Sequence, residues 1–314
     1  VFRPRALASG GVIGLAAPAG PIDPERLEAG RRALCERGFE VVFSEDITER
    51  RGYLAGDDAR RADELMRLVD DPAVGAIVCV RGGYGCQRIV ESLDAARIRR
   101  AAKPLVGYSD ITTLLLWQAR VAGLGGIHGP MLERGEGFDA EALDALCESL
   151  QGDDRGRVLP GRGNARGVVE GPLCGGSLSL VVASLGTPWE IDTRDGILLI
   201  EDVHEAPYKL DRMLQQLRAA GKLEGSALGI GVGALTACDS AEADAPGAEE
   251  VVAEVLDPLE LPRVEGLRFG HLAANFAWPV GARARLDSDS GALTFLEAST
   301  IQETASPPGA ASAS

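Results

Sequence analysis

The residues of this chain that could do chemistry are few, and they fall where the hydrophobic pattern changes. Lys103-Pro104-Leu105-Val106-Gly107-Tyr108-Ser109-Asp110-Ile111 passes from a short apolar run, which reads as the end of a buried strand, into an apolar segment over 111–120 that reads as a helix. Only Ser109 and Asp110 separate the two. A serine on so sharp a turn presents its hydroxyl at the C-terminal edge of a sheet. There the following backbone N–H groups and the helix N-terminus favour developing negative charge, the physics of a nucleophile elbow. The same two residues equally suit plain N-capping, since either side chain can accept from the free N–H groups of a first helical turn.

General bases are limited to three histidines. His271, in Arg268-Phe269-Gly270-His271-Leu272-Ala273-Ala274-Asn275, reads as a loop residue. His128 lies in Ile127-His128-Gly129-Pro130, a turn at the edge of the first unit, and His204 follows Glu201-Asp202-Val203 at the exit of a buried strand. Each alone suits a solvated or hydrogen-bonding role as well as proton transfer. Glu201 ends the apolar run Ile197-Leu198-Leu199-Ile200 and so puts a carboxylate at the mouth of a strand. It could cap the segment after the strand, or orient a histidine as the acid of a Ser-His-acid relay in the chain order Ser109, Glu201, His271.

Arg81-Gly82-Gly83-Tyr84-Gly85 offers a concave set of backbone N–H groups after a strand, suited to a phosphate or an oxyanion. It lacks the Lys-Ser/Thr of a P-loop, and no G-x-G-x-x-G opens a helix after the first strand, which argues against nucleotide binding. The lack of an H-x-x-x-H pair or a Cys/His cluster argues against a metal centre, so neither metal nor cofactor is expected.

These residues need a scaffold, and the pattern supplies an α/β one. Strands are expected over 11–17, 39–43, 76–80 and 105–108. They alternate with a helix opened by Asp23-Pro24, an amphipathic helix over 57–70 with Ala62, Leu65, Met66 and Val69 on one face, and a helix through Ile89, Val90 and Leu93. Such alternation means a parallel sheet with ligands beyond the strands' C-terminal ends. A further helix spans 139–150. The second half is β-richer: a short helix after Ser177, the strand over 196–200, a helix over 209–220, a strand over 228–235, and a hairpin over 283–296 turning at Ser290-Gly291. The expected organisation is an N-terminal α/β nucleophile domain over 1–150, a Gly/Asp/Arg-rich linker over 151–166, a smaller β-rich domain over 167–302 supplying Glu201 and His271, and a disordered tail over 303–314.

Composition narrows the partners. With 32 Lys+Arg against 47 Asp+Glu the net charge is −15, which argues against nucleic acid and anionic membrane surfaces. Six scattered cysteines without a C-x-x-C pair read as reduced thiols. No run approaches a membrane span and residues 1–10 lack the apolar core of a secretion signal, so a cytoplasmic location is expected.

Taken in order, Arg81-Gly82-Gly83-Tyr84-Gly85, Val106-Gly107-Tyr108-Ser109-Asp110-Ile111-Thr112, His128-Gly129-Pro130-Met131, Gly186-Thr187-Pro188-Trp189, Glu201-Asp202-Val203 with Glu205-Ala206-Pro207-Tyr208 and Asp211-Arg212, and Phe269-Gly270-His271 resemble the LD-carboxypeptidase family of serine peptidases. The resemblance runs from about Val12 to Leu296 and includes the muramoyltetrapeptide carboxypeptidases and the microcin C immunity hydrolases. It implies a flavodoxin-like N-terminal domain, a β-rich C-terminal domain, and a site between them with Ser109 as nucleophile, Glu201 as relay acid and His271 as base. It implies an oxyanion hole of backbone N–H groups, which we place at Gly83 and Asp110, a homodimer, no metal, and a murein tetrapeptide that loses D-alanine in cytoplasmic cell-wall recycling. Ser177 and His204 depart from the family's usual Asn and Gly, and His128 takes a structural role.

Three rivals remain. A microcin C immunity-type hydrolase would cut an aminoacyl-nucleotide analogue, with Trp189 stacked on the base. An α/β-hydrolase esterase would carry Gly two residues after the nucleophile, where this chain has Ile111. A non-catalytic binding protein would leave Glu201 and His271 without a role.

Overall fold

The computed structural model describes residues 1–132, 138–241 and 245–302. The first half alternates β1 (Val12–Ala16), α1 (Pro24–Glu36), β2 (Glu40–Val42), α2 (Asp58–Asp70), β3 (Val74–Cys79), α3 (Cys86–Ile89), α4 (Ala95–Ala101), β4 (Leu105–Gly107), α5 (Thr112–Trp117), β5 (Gly126–His128) and α6 (Ala140–Gln151). Its helices begin where a side chain can take up free first-turn N–H groups. Asp23, Asp57, Asp94 and Asp139 each accept such a bond, and Pro24 follows Asp23 where its missing donor costs nothing.

These five strands are mutually parallel and form one sheet with an antiparallel β12 at its edge, in the order β12-β5-β4-β3-β1-β2. Successive strand residues face opposite layers. Ala76, Val78, Val106 and Ile127 pack with Leu27, Leu34, Leu143 and Leu146 of α1 and α6. Ile77, Cys79 and Leu105 pack with Leu65, Val69 and Leu114 of α2 and α5. Helices on both faces account for near-continuous apolar strands.

The second half runs β6 (Val158–Pro160), β7 (Arg162–Gly163), β8 (Val168–Ser177), α7 (Leu178–Ala183), β9 (Ile197–Val203), α8 (Pro207–Ala219), β10 (Gly229–Thr236), α9 (Ala248–Leu256), β11 (Arg263–Glu265), β12 (Trp278–Val280), β13 (Arg283–Asp287) and β14 (Ala292–Phe295). Apart from β12 its strands make one mixed sheet, β6-β14-β13-β8-β9-β10-β11-β7, parallel from β8 to β11 and antiparallel toward both edges. Leu198, Ile200, Ile230 and Val232 bury one face of it under Leu210, Leu214 and Leu217 of α8 and Val252 and Val255 of α9. The chain is thus a two-domain α/β protein: a mostly parallel sheet between helices, then a mixed, β-rich sheet.

Two local expectations change, and one strand crosses between the halves. The segment 151–166 holds β6 and β7, which close the two edges of the second sheet; strands of three and two residues in a Gly/Arg-rich context leave no alternation to read. The helix expected over 111–120 is a 3-10 turn at Ser109–Ile111, then α5, then a π-helical turn at Gln118–Ala122. β12 leaves the second half to pair antiparallel with β5, Trp278 opposite His128. The tail over 303–314 lies outside the described residues. Among the described residues no helix is long and apolar enough to cross a membrane, and all six cysteines are free thiols.

Besides β12, a buried hydrogen bond ties the halves together: Ser177 N, at the end of β8, donates to Thr112 Oγ1 at the start of α5, 3.1 Å away. Replacing Thr112 by the near-isosteric valine strands a buried N–H. Thr112→Val is expected to lose about 1–3 kcal/mol in urea unfolding; an unchanged midpoint and slope would show that the bond contributes nothing to the junction.

Candidate active site

β4 delivers the chain to Ser109, whose φ of 59° is left-handed, a conformation that non-glycine residues hold only when the surroundings enforce it. Part of that enforcement comes from Asp110. It is buried, and its Oδ2 accepts from Cys86 N at 2.8 Å, which ties the turn to the N-terminus of α3 just past the glycine loop. Burial pushes the Asp110 carboxyl up, and the donors from Cys86, the Arg61 charge and Gly85 oppose that.

The glycine loop closes on the serine directly. A Cβ on Gly82 would lie 2.8 Å from Ser109 Cβ, 3.0 Å from its Oγ and 3.5 Å from Asp110 N. Backbone therefore borders the hydroxyl where any other residue would place a side chain. Gly20 N holds the loop by donating to Gly82 O at 2.9 Å, and Gly83 follows at φ 103°, exposed.

Glu201 lies within β9, opposite Ser177 of β8, and is fully buried. Its Oε2 meets His271 Nδ1 at 2.7 Å. His271 sits in the loop between β11 and β12, as the glycine before it suggested. Its carbonyl accepts from Thr236 Oγ1 at 2.7 Å, and Gly270 N donates to Asn275 Oδ1 at 2.8 Å. Gly270, at φ 101°, is required twice over, since a Cβ there would stand 2.5 Å from Glu201 Oε2. The imidazole packs edge-on against Tyr108, ring centres 4.8 Å apart, which sets it beside the residue preceding Ser109. The turn from the first half and the acid–histidine pair from the second thus meet across Tyr108.

Burial alone would push the Glu201 carboxyl up. Hydrogen bonding and charge attraction from the histidines facing it outweigh burial and hold it well below the usual carboxylate range. Asp202, next on the strand, serves the scaffold instead. It accepts from Ser179 N at 2.7 Å and Val203 N at 2.9 Å, and burial pushes it up to about 6.

The other two histidines part company. His204 is exposed in a left-handed conformation at the exit of β9, with its N–H on Thr236 O at 2.9 Å, and makes no hydrogen bond or ion pair with Glu201. His128, expected in a turn at the domain edge, is instead the last residue of β5 and fully buried, because β12 covers it: its ring stacks on Trp278 with centres 4.9 Å apart. It lies 3.9 Å from Glu201 through Nε2 and Oε1. Local sequence held no signal for this, since the covering strand arrives from far along the chain.

Trp189, the residue a base-stacking site would use, is 7% exposed and part of the core. Among the described residues no group of three or more His, Cys, Asp or Glu side chains could hold a metal ion. A cavity of about 880 Å³ lies at the opposite end of the first sheet, among Val12, Val74, Arg97 and Lys103, away from Ser109.

Residues 13–129 match the LD-carboxypeptidase N-terminal domain and residues 170–286 the LD-carboxypeptidase C-terminal domain. The chain is 36% identical over 294 residues to the probable murein peptide carboxypeptidase of Bacillus subtilis, covering 91% of this chain and 92% of that protein. It is 34% identical over 292 residues to the murein tetrapeptide carboxypeptidase of Pseudomonas aeruginosa, covering 89% and 94%. The muramoyltetrapeptide carboxypeptidase structure from Oxalobacter formigenes superimposes with a TM-score of 0.82 at 30% identity, covering 90% of this chain and 97% of that one. A parallel sheet carrying a strained serine turn, joined to a β-rich domain, is therefore the two-domain architecture of a hydrolase class. The chain belongs to the LD-carboxypeptidase family, the serine peptidases of family S66.

Gly82→Ala is expected to lower kcat/KM by about 100-fold, since the new Cβ must displace Ser109 by a fraction of an ångström or more. Thermal unfolding of the variant checks that the loss is local. Full activity in a folded variant would show that the glycine loop does not set the position of the hydroxyl.

Proposed function

We propose that the protein is a serine LD-carboxypeptidase that removes terminal D-alanine from a murein tetrapeptide, in cell-wall recycling. The observation that carries this reading is the 2.7 Å contact between buried Glu201 and His271, set beside a serine turn in the left-handed conformation. The murein peptide and tetrapeptide activities named for the relatives support the substrate class.

In this reading Ser109 Oγ attacks the carbonyl carbon of the L-centre joined to D-alanine. His271 takes the hydroxyl proton through Nε2, while its Nδ1–H stays on Glu201, which fixes the tautomer and favours the imidazolium that forms. The tetrahedral oxyanion rests on the N–H groups of Gly83 and Asp110, held ready by the fixed backbone around Gly82. The C–N bond then breaks as His271 returns the proton to the leaving amine. A water molecule, deprotonated by the same imidazole, attacks the acyl ester and frees Ser109. The two amino acids joined at the cleaved bond differ in chirality, so the turn must present the attacking oxygen to an L-carbonyl with a D-side chain beyond it.

Incubating a murein tetrapeptide ending in D-alanine with wild type and Ser109→Ala, and following D-alanine by mass spectrometry, tests this. Release by wild type alone is expected, and equal release by both would remove Ser109 from the reaction. No release by either would overturn the substrate. Because Glu201 stays ionised through the working range, the acid side of the pH profile belongs to the base. kcat/KM should rise with pH across the window of about pH 5–8 in which histidines lose their proton. A profile flat over that window would exclude His271 as base.

A further inference from the structure

Glu201 has two oxygens, and the relay uses one. Oε2 is taken by His271, whereas Oε1 points the other way, toward Nε2 of His128 at 3.9 Å. Both side chains are fully buried, and neither Oε1 nor either ring nitrogen of His128 has a hydrogen-bond partner within 3.5 Å, so the two groups face each other across a gap slightly longer than a hydrogen bond. Leaving a carboxylate oxygen and an imidazole N–H apart in such surroundings is costly, and each is the polar group available to the other. The aromatic packing points the ring this way: Trp278 stacks on it at 4.9 Å, Phe269 stands edge-on at 5.8 Å, and Tyr108 lies at 5.9 Å. A carboxylate oxygen can only accept, so the facing Nε2 must carry the proton.

We propose that His128 is a positioning residue of the reaction: as a neutral Nε2–H donor it holds the second oxygen of Glu201, fixing the carboxylate's orientation and moderating the charge it presents to His271. Three elements converge on one carboxylate, β5 with His128, β9 with Glu201 and the 271 loop with its imidazole. The other titratable groups facing this cluster are Tyr108, packed against both rings, and Asp202, the next residue on β9. Burial disfavours the charged form of His128 more than Glu201 favours it, so the ring is neutral when Glu201 is ionised.

Removing the donor concentrates the charge of Glu201 on its remaining partner, which binds the proton of His271 more tightly. The activity part of this inference rests on the serine-peptidase reading above; the proton-affinity part does not. With three histidines in the chain, selective ¹⁵N-histidine labelling resolves each ring by NMR. Wild type is expected to show one ring, absent from a His128→Gln sample, that stays in the neutral Nε2–H form from pH 5 to 9. In His128→Phe, which keeps a ring against Trp278, the His271 midpoint should move up by about one pH unit, a tenfold gain in proton affinity. His128→Gln, whose amide nitrogen can stand where Nε2 stood, should return the midpoint toward wild type. In D-alanine release, the phenylalanine variant should lose about threefold in kcat at pH 7 with KM little changed, the fall in deprotonated base that a one-unit rise from the ordinary histidine value gives, and glutamine should restore most of it. An unchanged His271 midpoint in the phenylalanine variant, or an Nδ1–H tautomer at His128 in wild type, overturns the proposal. The expected NMR shifts in a protein that releases no D-alanine would uphold it and overturn the substrate reading instead.

Discussion

A fully buried carboxylate is the constraint around which the molecule is arranged. Taking a carboxylate out of water costs several kcal/mol unless partners replace the lost hydration. Glu201 lies in the interior of β9, with no solvent to serve it. The groups that face it come from separate segments: His271, from the loop before β12, meets Oε2 at 2.7 Å, His128, from the end of β5, lies 3.9 Å from Oε1, and a glycine at 270 lets backbone come close to Oε2. Once Glu201 is ionised inside the fold, those pieces must be there, and the two halves of the chain have to meet at it. The crossing of β12 into the first sheet does this directly, since it carries Trp278 onto His128 and brings the His271 loop back toward Tyr108.

A second buried carboxylate, Asp110, helps to hold the serine turn. A left-handed φ at a β-unbranched polar residue persists only when packing leaves it no alternative. On one side Asp110 is held by Cys86 N, so the turn cannot swing away from α3. On the other, Gly82 lies against the hydroxyl, so it cannot move toward the loop. The buried Asp110 carboxyl serves the scaffold, holding the turn to the start of α3 through Cys86 N, whereas the Glu201 carboxylate meets a histidine.

Much of this was legible in the sequence because it is local. Capping aspartates, the apolar stripe of α2, the glycines flanking the strands and the two-residue gap between Tyr108 and Ile111 are set by neighbours a few residues away, and they stand where the pattern puts them. Ser109 and His271 could be singled out for the same reason, each lying in a turn or loop; Glu201 stood out as the carboxylate ending an apolar run, although the strand continues past it to Val203 and buries it. The burial of His128 was not legible, because the Trp278 that stacks on it arrives on β12 from far along the chain, and a histidine before Gly129-Pro130 looks like a turn until β12 covers it. The edge strands β6 and β7 were hidden similarly: they are strands only because β14 and β11 pair with them.

The division of labour between the halves bears on how the site works. The acid–histidine pair, at 2.7 Å, joins two segments of the second half, β9 and the loop before β12. The turn for its part is held by α3 and the glycine loop, within the first half. What joins the two is packing, the Tyr108 ring against His271, with the Thr112–Ser177 bond and β12 behind it. A shift at that junction would leave the acid–histidine pair and the serine turn each intact while changing the distance between them. Proton transfer is steeply sensitive to that distance and folding stability is not. In the proposed reading the contacts between the domains therefore belong to the catalytic apparatus as much as to the fold, and Tyr108, which precedes Ser109 and packs against His271, is where the two meet.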